Sequence, residues 1–286
     1  MEKKLYGKTP EEHAVYDTSK VVILPIPYDG TSTWMKGANK GPEAIIEASG
    51  HMELYDIDTD SEVYTIGLHT ADPVSENSSP EAMVESSYSR VKSFLQDGKF
   101  VVSIGGEHSV SIGSIKAYAE YFKDLSILQF DAHTDLRQEY EGSKYNHACV
   151  MARASEWCPF VQVGIRSMDI EELPYIQKNR IFYAKEIRSG MNPEWIDKVV
   201  AQLSSNVYIT IDLDGLDPSI MPSTGTPEPG GLYYYDLINL VERVNRERNI
   251  LGFDVVELCP NPNVKAPDFL ASKLIYQIIS MKFNKR

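Results

Sequence analysis

Short runs dominated by apolar residues recur along this chain, each separated from the next by a segment carrying helix signals. Val21 to Pro25, Phe100 to Ile104, Leu125 to Phe130, Phe160 to Val163, residues 181–184, Val207 to Ile211 and residues 251–256 have this character. Near-continuous apolar strands are buried on both faces, as in a parallel sheet covered by helices on each side. The intervening helices declare their ends. Gly41-Pro42-Glu43-Ala44 opens one with proline in its first turn, and Ser79-Pro80-Glu81 opens another that a glycine, Gly98, closes. The pattern predicts further helices from about Ser109 to Phe122, His147 to about Trp157, Pro193 to Leu203, Tyr235 to Arg248 and Asp268 to Met281. Strand and helix alternate almost throughout, which predicts an α/β fold. No linker, repeat or low-complexity run breaks the alternation, so residues 1–286 are expected to form one domain. Leu136 to Asn146 is polar and predicts a loop over a site.

Composition narrows the class. With 286 residues, 42% of them hydrophobic, the chain has enough apolar material for a substantial core. No run reaches the roughly 18 apolar residues of a membrane span, and the opening Met-Glu-Lys-Lys-Leu-Tyr-Gly has no hydrophobic signal region. Cys149, Cys158 and Cys259 are odd in number, scattered and without a CxxC pair, which points to a reducing cytoplasm and to three small hydrophobes rather than a disulfide framework or zinc ribbon. A net charge of −13 speaks against nucleic acid and suits a cationic small-molecule substrate.

The chemistry lies at the ends of three of the predicted strands. His108 follows the strand ending at Ile104, Asp131-Ala-His133-Thr-Asp135 follows the strand ending at Phe130, and Asp212-Leu-Asp214 follows Ile211. If the strands continue through these clusters, alternation points Asp131 and His133 one way, and likewise Asp212 and Asp214. Open α/β sheets place their sites at such carboxyl ends. Four carboxylates and two imidazoles aimed at one spot repel each other severely without a cation. Two divalent ions balance the four negative charges, so the pattern predicts a two-metal hydrolytic centre.

In this order the clusters resemble the ureohydrolase family of arginases and agmatinases, most closely the agmatinases. The matching segments are Gly105-Gly106-Glu107-His108-Ser109, Asp131 to Asp135, His147-Ala-Cys-Val-Met-Ala-Arg153, Asp212-Leu-Asp214-Gly-Leu-Asp217-Pro218, Ser223 to Gly231 and Asp254-Val-Val-Glu257, with Pro25 to Gly30 and Gly37 to Glu43 near the start. The resemblance implies a three-layer α/β/α sandwich on a parallel sheet of about eight strands. It implies two manganese ions, one held by His108, Asp131, Asp135 and Asp212 and the other by Asp131, His133, Asp212 and Asp214. The oxygen-rich, thiol-free donor set suits manganese better than structural zinc. By the same likeness, metal-activated hydroxide attacks a guanidinium carbon, His147 shuttles the proton and Glu257 grips the guanidinium. Thr226 and Asp254 are expected behind the metals or on the substrate side, and Asp217 in a turn. A homo-oligomer, trimer or hexamer, is also implied.

The segment Leu136-Arg137-Gln138-Glu139-Tyr140-Glu141 lacks the Asn, Thr and Ser pattern with which arginases hold the amino-acid end of arginine. Agmatine, yielding urea and putrescine and so serving polyamine synthesis, is therefore the expected substrate, with Glu139 or Glu141 meeting its ammonium. Aminopropylagmatine, guanidinobutyrate, arginine and a formimino compound are the alternatives within the family. From other classes, a deacetylase-like zinc amide hydrolase needs neither His108 nor Asp135, and a non-catalytic binding subunit would have lost ligands that are all present here.

Overall fold

The computed structural model describes residues 4–284. The apolar runs become eight strands: β1 (Val21–Ile26), β2 (Leu68–Thr70), β3 (Phe100–Gly105), β4 (Leu125–Phe130), β5 (Phe160–Ile165), β6 (Ile181–Tyr183), β7 (Asn206–Asp212) and β8 (Asn249–Val256). They form one sheet in the order β2-β1-β3-β8-β7-β4-β5-β6, with every pairing parallel. Alternate residues of a strand feed opposite faces. Val21 and Ile23 join the core on one side, packed with Ile45, Val199, Leu237 and Leu274 from helices, and Val22 and Leu24 join the core on the other, with Val84, Ile115 and Val150. Both faces are apolar and helix-covered, which explains why the strands read as continuous hydrophobic runs. The result is the three-layer sandwich the sequence implied.

Register positions the site. Phe130 pairs with Ile211, Asp212 with Val256, and Ile104 with Val255. The four neighbouring strands β3, β8, β7 and β4 therefore end level with one another, and the residues that follow them lie in one row about 4.8 Å apart per strand. Gly106 lets the chain after β3 pass against β1: a Cβ there would sit 1.8 Å from the Tyr28 carbonyl oxygen.

Some expected elements differ. The helix expected from His147 to Trp157 is a 3-10 turn at His147–Cys149 followed by a short helix at Val150–Ala154. The edge strand β2 has only three residues and no apolar run to announce it, and the short helix Ala184–Arg188 was likewise unsignalled. The three cysteines are unpaired; Cys149 and Cys259 are buried, whereas Cys158 is only partly so. No helix among the described residues is long and apolar enough to cross a membrane.

Candidate metal centre

Asp131 is the first residue past β4 and Asp212 the last of β7, so their carboxylates meet across one strand spacing. Their partners do not follow by strand alternation, as the sequence pattern suggested. Asp131-Ala-His133 is already a loop, tied to the chain beyond β5 by an isolated bridge between His133 and Ser167. Asp214 sits in a 3-10 turn, Leu213–Gly215. Hydrogen bonds within each cluster set the directions instead. Asp131 Oδ1 accepts from the His133 amide at 2.6 Å, and Asp212 Oδ1 accepts from the Asp214 amide at 2.8 Å. Each pair thus has one carboxylate oxygen committed to the turn and the other turned towards the site.

Oxygens of the four carboxylates surround two imidazoles. His108 Nδ1 faces Asp135 Oδ2 at 2.9 Å, Asp131 Oδ2 at 3.2 Å and Asp212 Oδ2 at 3.3 Å, yet it is buried with no hydrogen-bond partner. His133 Nδ1 lies 3.0 Å from Asp214 Oδ2. Two triads have ligand atoms within 4.8 Å of one another: His108, Asp131 and Asp212, and then Asp131, His133 and Asp214. Asp131 is common to both. Asp212 joins the first triad alone, and Asp135 stands beside it through His108. All four carboxylates are buried.

Without a cation, only extra protons hold this cluster together. Burial favours neutral His108, but the carboxylates of Asp131, Asp135 and Asp212 override it and raise its pKa well above the usual imidazole value. Burial likewise opposes, and Asp214 and Asp131 overcome, a rise at His133 to about 12. Burial and the neighbouring charges push Asp212 far up, and burial with the Asp131 charge brings Asp135 to about 7. Asp131, against the burial penalty, is held low by His108 and His133. An unpartnered imidazole nitrogen within a cage of carboxylate oxygens fits a cation, and the oxygen-rich set fits a hard divalent one.

Polar side chains inside the sheet support the ligands. His108 Nε2 meets Thr210 Oγ1 at 2.9 Å, and Thr210 donates to Asp254 Oδ1 at 2.7 Å. Tyr208 also donates to Asp254, at 2.7 Å. Asp254 is fully buried behind Thr210 and is not among the residues that line the cavity. Gln129 donates to Asp131 Oδ2 at 2.7 Å and accepts from Gln162 at 2.6 Å. Sequence reading passed over Thr210, Gln129 and Gln162; each is a polar residue inside an apolar strand, and that was the available signal.

Above the cluster lies a cavity of about 260 Å³. Glu257, at the end of β8, lines it with Thr226, whose hydroxyl is 3.4 Å from Asp214 Oδ2. Glu257 Oε1 accepts from the His108 amide at 2.7 Å, and burial together with Glu107 and Asp214 raises its pKa well above the usual range. Glu257 and Asp135 both have positive φ, 68° and 52°, a conformation costing about 1–3 kcal/mol that is retained where the surroundings demand it. His147 lines the wall, and its pKa falls to about 4 through burial and the charges of His108 and His133. Asp217 accepts the amides of Ser219, Gly230 and Gly231, so it is a turn residue.

The mouth was less well foreseen. The loop 136–146 does border the cavity, through Arg137 and Tyr140, but Glu139 and Glu141 are exposed and lie outside it. The acidic group at the rim is Asp169, 3.0 Å from Arg137, whose other nitrogen pairs with Glu171 at 2.6 Å. Trp34 and Met35 complete the rim, the indole 80% exposed.

A family model described as the arginase family matches residues 19–280. The chain is 38% identical to an N(1)-aminopropylagmatine ureohydrolase of Synechocystis sp. over 275 residues, covering 92% of this chain and 89% of the relative. It is 39% identical to a protein of the same name from Thermus thermophilus, over 95% of this chain and 93% of the relative. A solved structure titled as the agmatine ureohydrolase of Thermoplasma volcanium superposes with a TM-score of 0.90 at 31% identity, over 99% of this chain and 96% of that one.

Proposed function

This chain belongs to the arginase family, and on that premise we propose that it is a ureohydrolase cleaving the guanidinium of agmatine to urea and putrescine. The observation that carries the reading is the pair of triads sharing Asp131 directly beneath a cavity lined by Glu257 and His147. His108, Asp131, Asp135, Asp212, His133 and Asp214 would hold two manganese ions. When bound, such a pair supplies an activated water at neutral pH and charge stabilisation for the reacting carbon.

The protein's own groups do the rest. Glu257 accepts hydrogen bonds from the guanidinium, and this charge-assisted contact turns the central carbon towards the metal cluster. Thr226 stands beside it. The new C–O bond forms as the C–N bond to the butylamine chain breaks, so a substituted guanidinium and water become an ammonium and urea with atoms and charge balanced. His147, kept neutral by its surroundings, takes the proton released by the water and returns it to the departing amine.

The mouth favours a substrate without a carboxylate. Among the described residues that line the cavity Arg137 is the one arginine or lysine, and it is already paired with Asp169 and Glu171 and lies 4.5 Å from the Tyr140 ring centroid. Its charge is spent. An incoming carboxylate would meet Asp169 rather than a free cation.

A second reading, aminopropylagmatine, has its own support in the names of the Synechocystis and Thermus relatives and in the open rim at Trp34. Its product beside urea is spermidine, since the tail is untouched by the reaction. Urea release measured across agmatine, aminopropylagmatine, guanidinobutyrate and arginine, with metal content measured alongside, tests both readings. No urea from any of them sinks the activity; one zinc per chain and hydrolysis of an acetylpolyamine moves the protein to a different chemistry. We further propose one domain over residues 1–286, a homo-oligomer and a place in the cytoplasm, the last supported by three unpaired cysteines.

A further inference from the structure

We propose that Thr31 is a positioning residue that fixes the tautomer of His147, with Glu107 as its anchor. The inference rests on the reading of His147 as the proton carrier. Thr31 lies in the loop after β1, the strand next to β3; it is buried and is not itself among the residues that line the cavity. Its single hydroxyl oxygen meets three groups at once. It donates to Glu107 Oε2 at 2.7 Å, it accepts from the His147 backbone amide at 3.0 Å, and it lies 3.1 Å from His147 Nδ1.

Counting protons decides what the third contact must be. A hydroxyl has one proton to give and two lone pairs to receive. Glu107 is fully buried, and the Ser109 amide at 3.2 Å and the Ser109 hydroxyl also donate to its carboxylate. The Ser109 amide and the two hydroxyls favour its ionised form, and as a carboxylate Glu107 takes the Thr31 proton. The His147 amide occupies one lone pair of the Thr31 oxygen. Nδ1 then faces only the remaining lone pair and must itself carry the hydrogen. In a neutral imidazole this leaves Nε2 bare, as the nitrogen available to the cavity.

The arrangement also sets the ring's position. Tyr140 stands edge-to-face with it, centroids 6.1 Å apart, while Thr31 grips both the backbone and the side chain of the same residue. His147 opens a 3-10 turn whose amide would otherwise lack a partner. One threonine thus satisfies the turn and orients the base. The Glu107–Thr31–His147 chain plays towards His147 the part that Asp254 and Thr210 play towards His108.

The test is a double-mutant cycle on the manganese-loaded enzyme, with metal content checked for every variant. Thr31→Val keeps the shape and removes the hydroxyl; it should lower kcat at least about tenfold, part of the about 10²–10⁴ that an acid–base group supplies, with KM within about twofold. Thr31→Ser should recover most of the loss. In a His147→Asn background Thr31→Val should cost less than about twofold, because its effect passes through the imidazole. Independently of any variant, ¹⁵N NMR of the wild-type protein loaded with diamagnetic zinc should find the Nδ1–H form of His147. A kcat within twofold of wild type for Thr31→Val overturns the proposal. So does an equal fold loss in both backgrounds, or an Nε2–H tautomer. A wild type that releases no urea from any guanidino compound overturns the proposed function instead, and leaves the tautomer still measurable.

Discussion

The floor and the rim of the cavity are built on different principles. At the floor every carboxylate is buried and comes from the end of a strand or from the loop or turn that follows it. Its second oxygen or its neighbour is tied to a backbone amide, as in Asp131 to His133 and Asp212 to Asp214. Behind the ligands stand more buried polar groups, Gln129 and Thr210, themselves tied to Gln162 and Asp254. At the rim the side chains come from loops, Trp34 is largely exposed, and Arg137 is held by surface carboxylates. Exposed ion pairs contribute about 0–1 kcal/mol each, so they hold a rim far less firmly than a sheet holds a floor. Reaction chemistry therefore resides in parts that tolerate little change, and substrate choice in parts that change at small cost.

The sharpest break of this contrast is at Asp131, the residue common to both triads. Asp131→Ala should take turnover to background and remove bound metal together, because the remaining carboxylates are left repelling one another. Metal analysis beside a urea assay checks it; a variant that keeps both ions and near wild-type turnover would refute the floor's design. Asp217→Asn, in a turn outside the cavity, is the control and should keep both ions.

His147 tests whether the wall belongs with the floor. His147→Asn should retain the metals and lower kcat by about 10²–10⁴, the scale for losing a general acid–base group. If metal content falls instead, the residue is part of the ligand scaffold.

The same contrast explains what the sequence made legible. Strand ends carrying charge after an apolar run are a strong local signal, so His108, Asp131, His133, Asp135, Asp212 and Asp214 could be picked out in advance, and the structure brings all six together. The supporting residues were quieter. Thr210 and Gln129 are single polar positions two before Asp212 and Asp131, with the parity that puts them on the ligands' side of the strand. Thr31 and Glu107 meet across 76 residues, and nothing local links them. The rim was misjudged because loop position does not fix side-chain direction: Glu139 and Glu141 carry the right charge but face solvent, whereas Asp169, from the loop after β5, reaches the cavity.

Substrate preference sharpens the comparison from the rim's side. Agmatine should be hydrolysed with kcat/KM at least about tenfold above arginine, which asks for only about 1.4 kcal/mol of discrimination. Both present the same guanidinium to Glu257. They differ in a carboxylate that arginine would bring to Asp169 and to an Arg137 already engaged twice. Equal rates, or a preference for arginine, would overturn the account of the rim and leave that of the floor intact.

The smallest effect, and the one that separates agmatine from its aminopropyl derivative, is expected at Trp34. The indole is 80% exposed at the rim, where a single hydrophobic residue of that size is poorly solvated and has a face free for a cationic tail. Cation–π contacts at exposed sites contribute about 0.5–1 kcal/mol, so Trp34→Ala should raise KM by about two- to fivefold with kcat unchanged. The longer substrate carries a secondary ammonium and a primary one beyond the four-carbon chain, and it reaches further across the rim than agmatine does. The increase should therefore be larger for aminopropylagmatine. Steady-state kinetics on the two substrates with the wild type and this variant decide it. A KM that does not move for either shows that the tail leaves the cavity elsewhere, and an equal rise for both removes Trp34 as a reader of tail length.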